Sequence, residues 1–312
     1  MYLKGAEKIR MSRNLKYQFL NAINNNFKEG MDKHSIKNDG KMNGTRIFSY
    51  SDRKNLIDTA SNFANFMKNT HPEVKQVKDI KAEHIQSFLN SKSATCSTAT
   101  LKQYESKFNK LEKVVNNTYN CNANYRGFST PNGANATKIR NSAMSKADFK
   151  KLENSFSNSN SSAKIAIQLT ARAGLRVSEC TKLQGRDINL TKGTIHVEDG
   201  KGGRDRDVQI RPEDKQFWTD LKASVGDMER ICPVKEDSIN KAISREMEKL
   251  ELKDRYEDTS IHAIRKMYAQ DEYDRYREQG MEIQEALGAV SVQLGHGENR
   301  IELMKEYVLN IH

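Results

Sequence analysis

No stretch of these 312 residues stays apolar over the roughly 20 positions that a membrane-crossing helix needs. Met1 to Arg13 carries basic residues but no apolar run behind them, which argues against a secretory signal. Cysteine is scarce. The four present, Cys96, Cys121, Cys180 and Cys232, are scattered without metal-ligand spacing, so they read as reduced thiols of a cytoplasmic protein and not as a disulfide framework. No internal repeat is visible. Acidic residues are short in one half only: residues 1–145 hold 24 Lys and Arg against 11 Asp and Glu, and the remainder 28 against 30.

That asymmetry shapes the first expectation. A length of 312 residues suggests about two domains. The surplus of +13 in the first half points to a polyanion, because each phosphate neutralised by Lys or Arg releases condensed counterions. Lysine-rich helices with merely solvated faces fit the same count.

Apolar periodicity divides the chain. Residues 13–30 read as one basic helix, and Met31–Gly44 as a flexible connector of Lys, Asn, Asp and Gly. Helices are expected at about 52–68, with Ser51 as N-cap, at 82–89 and at 98–119. Cys121–Asn141, rich in Asn, Gly, Ala and Thr, reads as an interdomain linker, and its Lys138 and Arg140 are candidates for tracking a nucleic-acid backbone. Ser145-Lys146-Ala147-Asp148 opens the next helix in the manner of a capping box. A helix at 161–173 follows, then two β-prone runs, 194–197 and 206–210, joined by a Gly-rich turn containing Lys201 and Arg204. Helices are expected after it at 212–224, 237–250, 260–278, 281–292 and 299–309.

Several residues in the second half carry chemistry. Arg176 follows the Gly174-Leu175 break, where a side chain can project into a cleft. Its planar fork suits two phosphate oxygens, although an ordinary surface arginine would look the same. Glu179, three residues on, either braces that guanidinium or caps its helix. His262 and Arg265 share a helix face, and a place in the first turn would favour a neutral imidazole. The glycine of Leu294-Gly295-His296 suggests a helix stop that turns the imidazole inward. Tyr307 sits among Ile301, Met304 and Val308, where core packing is the plain alternative to a nucleophilic phenol. Glycines around Lys201 allow close approach to a phosphate backbone, or leave a solvated turn lysine. Two guanidinium groups, two imidazoles, an amine and a phenol can together neutralise a phosphodiester, attack it and protonate the leaving oxygen.

In this order, Arg176, Lys201, His262-x-x-Arg265, His296 and Tyr307 resemble the tyrosine recombinase (phage integrase) family. The resemblance covers about 145–312 and is most specific in Gly174-Leu175-Arg176-Val177-Ser178-Glu179 and Leu294-Gly295-His296. It implies a mainly α fold with a small β-sheet (α+β), in which a helical core-binding domain and a catalytic domain close on DNA as a C-shaped clamp. The domains would be 1–45 (basic helix and connector), 46–120 (core binding), 121–144 (linker) and 145–312 (catalytic). It further implies that Arg176, Arg265 and His296 bind the scissile phosphate. Tyr307 would attack to leave a 3′-phosphotyrosine, with His262 as general base and Lys201 as general acid. Lys138, Arg140 and Arg204 are the candidate DNA contacts. No cofactor and no metal are expected. The implied partners are double-stranded DNA, further copies in a tetramer on DNA, and an accessory DNA-bending or directionality factor. The implied setting is the cytoplasm at the nucleoid, without a membrane, as the integrase or transposase of a mobile element. Type IB topoisomerase-like relaxation and a non-catalytic DNA-binding regulator are the alternatives.

Overall fold

The computed structural model describes residues 14–29, 44–136, 142–157, 161–198, 200, 205–256, 260–297 and 300–312. Lys138, Arg140, Lys201 and Arg204 lie outside them. The chain divides into two compact units, residues 1–138 and 139–312. Among the described residues no helix is long and apolar enough to cross a membrane.

The first unit is helical: α1 (Leu15–Asn25), α2 (Tyr50–Thr70), α3 (Ala82–Ser93) and α4 (Thr98–Tyr119). Asn14, Ser49 and Ser97 each accept a backbone N–H from the first turn of the helix they precede, satisfying donors that have no partner inside the helix. Ser49, not Ser51, is the cap of α2, because the helix already includes Tyr50 and Ser51. Phe63 stands at the centre of the core, edge-on to Phe88 at 5.3 Å and Phe108 at 4.9 Å between ring centroids, an arrangement that suits the ring quadrupoles.

Two segments that the sequence set apart belong to this same core. Leu15, Phe19, Ala22 and Ile23 recur on one face of α1 and are buried with α2 and α4. The buried Gln18 reinforces them, donating to the Lys75 carbonyl at 2.7 Å and accepting from Val77 N–H at 2.9 Å. The segment after α4 reads as linker by composition, yet Tyr125 is fully buried. Its hydroxyl donates to the Val77 carbonyl at 2.7 Å, and its N–H donates to Glu112 Oε2 at 2.8 Å.

The second unit contains α5 (Lys146–Ser155), α6 (Ser162–Ala173), α7 (Val177–Cys180), β1 (Ile188–Asn189), β2 (Thr194–Val197), β3 (Arg206–Gln209), α8 (Lys215–Ala223) and α9 (Glu236–Lys249). It continues with α10 (Lys253–Tyr256), α11 (Ser260–Glu278), α12 (Ile283–Gln293) and α13 (Ile301–Met304). The strands form an antiparallel sheet in the order β1-β2-β3, with Thr194 opposite Gln209 and Val197 opposite Arg206. The two-residue β1 is an edge that periodicity did not reveal. Helix α11 is the axis of the unit: Ala263 to Ala269 are all buried, as expected of a helix packed on several sides. One expected helix is much shorter than its apolar pattern suggested. In place of 299–309, α13 ends at Met304, a turn carries Lys305 to Tyr307, and the chain beyond is not helical. There the N–H groups of Leu309 and Asn310 donate to Gln270 and not to a preceding turn.

Candidate active site

The helix break before Arg176 is set by glycine. Gly174 closes α6 with its N–H on the Thr170 carbonyl and lies in the left-handed region, at φ +58°. A Cβ there would stand 2.5 Å from the Tyr268 ring, so the tight packing of α11 against this turn admits no side chain. The freed carbonyl of Gly174 accepts a hydrogen bond from Arg265 Nη1.

Arg265, one turn into α11, is only 1% exposed. Its Nη2 donates to the Leu294 carbonyl at 2.6 Å, and its buried Nε has no partner. Burial lowers the guanidinium pKa to about 10, assisted by the neighbouring Arg176, so it stays charged at neutral pH. A buried cation with an unused donor is equipped for an anion.

Arg176 precedes α7 and turns back on Glu179, which accepts from Arg176 N–H at 2.9 Å and from its Nη1 at 2.8 Å. The carboxylate therefore both caps the short helix and braces the guanidinium. Glu179 is 4% exposed. Burial alone would push its pKa up. Hydrogen bonds and charge from Arg206, the Arg176 N–H and the charge of Arg265 outweigh this and hold it at about 2.

Leu294-Gly295-His296 ends α12 in a left-handed turn, with Gly295 at φ +70° and His296 N–H bonded to the Ser291 carbonyl at 2.9 Å. The turn brings His296 Nε2 to 3.2 Å from Arg176 Nη2. Tyr307 arrives from the turn after α13, its N–H on the Met304 carbonyl at 2.8 Å. Its half-buried ring lies 5.4 Å from that of His296, and the Arg265 guanidinium lies 5.9 Å from the Tyr307 ring centre. His262, third residue of α11 and one turn before Arg265, is half-buried. Arg176, Glu179, Arg265, His296 and Tyr307 thus meet in one place.

The sequence reading passed over Arg206. Its guanidinium donates to both oxygens of Glu179, Nη1 to Oε1 at 3.0 Å and Nη2 to Oε2 at 2.8 Å. A signal was present: two-residue alternation along β3 puts Arg206 on the same face as the buried Val208.

Among the described residues one group has metal-ligand composition: His71, Glu73 and His84 in the first unit. There His84 Nδ1 accepts from Lys81 N–H at 3.0 Å, which leaves the proton on Nε2. A ligating histidine needs the reverse arrangement, with one nitrogen donating and the other free to coordinate.

No curated protein matches the sequence. Solved structures with the same fold include XerH site-specific recombinase bound to a palindromic difH substrate, at 15% identity and a TM-score of 0.64, covering 96% of this chain and 94% of that one. A lambda integrase dimer bound to a COC′ core site is 16% identical with a TM-score of 0.60, covering 89% and 95%. The Tn1549 transposon integrase in complex with a circular intermediate DNA is 14% identical with a TM-score of 0.59, covering 95% of each. The family model named Phage integrase family matches residues 143–296, from before α5 to the His296 turn. Within the second unit, residues 143–296 thus form a domain of the phage integrase family.

Proposed function

We propose that this chain is a site-specific DNA recombinase that cuts and rejoins DNA through a 3′-phosphotyrosine, serving as the integrase or transposase of a mobile element. The observation that carries the reading is that His296 and Arg265 lie against the ring of Tyr307 while Arg176 meets His296, with the Tyr307 hydroxyl as the nucleophile among them.

The chemistry follows from those groups. Arg176 and Arg265 bind the non-bridging oxygens of the scissile phosphate, and His296 donates to the same group. Preorganised donors of this kind act on the charge that spreads over phosphorus in the transition state. The Tyr307 phenolic oxygen forms a bond to phosphorus as the bond from phosphorus to the 5′-oxygen breaks. The phenol proton passes to His262, and Lys201 supplies a proton to the departing 5′-oxygen. A phenol is a poor nucleophile while it keeps its proton, so the attack calls for such a base at neutral pH. The phosphodiester is exchanged and not hydrolysed, so the reverse attack by a 5′-hydroxyl rejoins DNA without ATP.

The basic first unit supplies non-specific affinity for the duplex, with Lys138, Arg140 and Arg204 as further contacts to the backbone. Exchange between two duplexes needs several copies, hence a tetramer on DNA, joined by an accessory DNA-bending or directionality factor. Its place of work is the cytoplasm, at the nucleoid.

The test incubates the purified chain with a supercoiled plasmid library of randomised sites, without added metal. After denaturation, the DNA covalently held by protein is sequenced. We expect a 3′-linked adduct that disappears in Tyr307→Phe while DNA binding persists. An adduct that survives Tyr307→Phe removes this nucleophile. Firm binding with no adduct from the unmodified chain replaces the reading with that of a regulator.

A further inference from the structure

Arg206 has more contacts with the proposed catalytic groups than its place on a strand requires. Its side chain is 7% exposed. Two nitrogens hold the two oxygens of Glu179, and the third, Nε, donates to the Gln293 carbonyl at 2.9 Å, just before Leu294-Gly295-His296. The glycine of that string has a reason here: a Cβ on Gly295 would stand 2.9 Å from Arg206 Nη1 and 3.2 Å from its Cδ. One guanidinium therefore touches α7, the end of α12 and its own strand.

The charge arrangement shows what this does. Glu179 Oε1 also accepts from Arg176 Nη1 at 2.8 Å, and Oε2 lies 4.0 Å from Arg265 Nη1. Three guanidiniums share one carboxylate. Of these, Arg176 meets His296 and Arg265 lies near the Tyr307 ring. The third, Arg206, is engaged through all three nitrogens by Glu179 and the Gln293 carbonyl.

We propose that Arg206 is a positioning residue for strand cleavage: it never touches the phosphate, but it holds Glu179 ionised and fixed so that Arg176 stays aimed beside His296. This rests on the recombinase reading above. Arginine is required at this place, because three donors in a rigid plane serve two carboxylate oxygens and a carbonyl at once. A lysine ammonium is a point charge and cannot span them.

The groups facing Glu179 fix the expected pH behaviour. Arg176 lies on its own turn, Arg206 on β3 and Arg265 on α11, with Cys180 adjacent in the chain. Lys182, Asp187, His196, Glu198 and Arg230 line the cavity on its other side. With Arg206 gone, the largest force opposing the burial penalty is lost. An opposite charge at this range typically holds a carboxyl down by about 1–3 units. The carboxylate would then protonate at higher pH and release Arg176.

The experiment measures single-turnover cleavage of the duplex recovered from the wild-type adducts from pH 3 to 9, over the range in which each protein stays folded. It compares wild type, Arg206→Lys and Arg206→Met, with DNA affinity and thermal unfolding followed in parallel. Expected is a loss of roughly 10- to 100-fold in cleavage at neutral pH, the scale seen when a residue that orients a primary ligand is removed. DNA affinity should hold, and the acidic limb of the profile should move up in both variants, further in Arg206→Met than in Arg206→Lys, which keeps a positive charge. If Arg206→Met does not fold, Arg206→Lys carries the test. Wild-type rates in the variants, or a loss with an unmoved acidic limb, overturn the proposal while leaving Tyr307 chemistry intact. A wild-type chain that forms no adduct fails at the earlier reading instead.

Discussion

Gln270 and Asn310 clasp each other through both halves of an amide. Gln270 Oε1 accepts from the Asn310 N–H at 2.9 Å, and its Nε2 donates to the Asn310 carbonyl at 2.8 Å. The same Oε1 takes the Leu309 N–H at 3.0 Å. This fastens the chain just past Tyr307 to the helix that carries Arg265. Further along, Tyr273 and Arg277 donate to the His312 carbonyl at 2.9 and 3.0 Å.

Gln270→Ala is expected to slow cleavage by roughly 10-fold, because a nucleophile displaced by about an ångström loses its in-line geometry. Global stability should fall by only about 1–2 kcal/mol, since these bonds are mostly exposed. Quench-flow on the recovered duplex and chemical denaturation check the two numbers. An unchanged cleavage rate would show that Tyr307 is held by α13 alone.

Gly174→Ala should destabilise the second unit by about 3 kcal/mol or more. It combines a left-handed backbone with a contact of 2.5 Å to a buried tyrosine ring. Urea unfolding reads the loss. A cost below about 1 kcal/mol would mean that Tyr268 can move aside, contrary to its dense packing.

Glu179 makes stability depend on acid. Its folded pKa of about 2 lies below the ordinary 4.5. The contribution is therefore fully present above pH 4.5 and is lost as pH falls through the folded value. A shift of this size corresponds to about 3 kcal/mol at neutral pH. Glu179→Gln should flatten that part of the stability curve between about pH 5 and 2. It should also lower neutral-pH stability, since three guanidiniums are left facing one another. A parallel curve in the variant would assign the acid sensitivity elsewhere.

Tyr125→Ala tests whether the segment after α4 is structural. Removing a fully buried ring and its hydroxyl bond should cost the first unit about 3–5 kcal/mol. A fragment ending at residue 136 should unfold cooperatively, whereas one ending at Asn120 should not. Equal behaviour of the two fragments would return 121–136 to the role of a plain linker.

Sequence periodicity went furthest where burial is one-sided. Thr98–Tyr119 and the strand Thr194–Val197 stand where their apolar spacing put them. It went wrong where one side chain outweighed composition. Tyr125 anchors a segment that otherwise reads as linker. At the other end, Gln270 takes the N–H groups of Leu309 and Asn310. Tyr307 is legible as a candidate from its order after His296, but its place on a turn and not on a helix was not.

By itself, the sequence determined the basic bias of one half, the helix-forming stretches, and the order of arginine, histidine and tyrosine along the chain. Those depend on composition and local spacing. Only the tertiary structure decided that Arg176 meets His296 across 120 residues, that Glu179 serves three guanidiniums, and that Arg206 is one of them. These pairings join separate elements, and no periodicity within a helix or strand encodes which distant side chain will fill the space beside a buried charge.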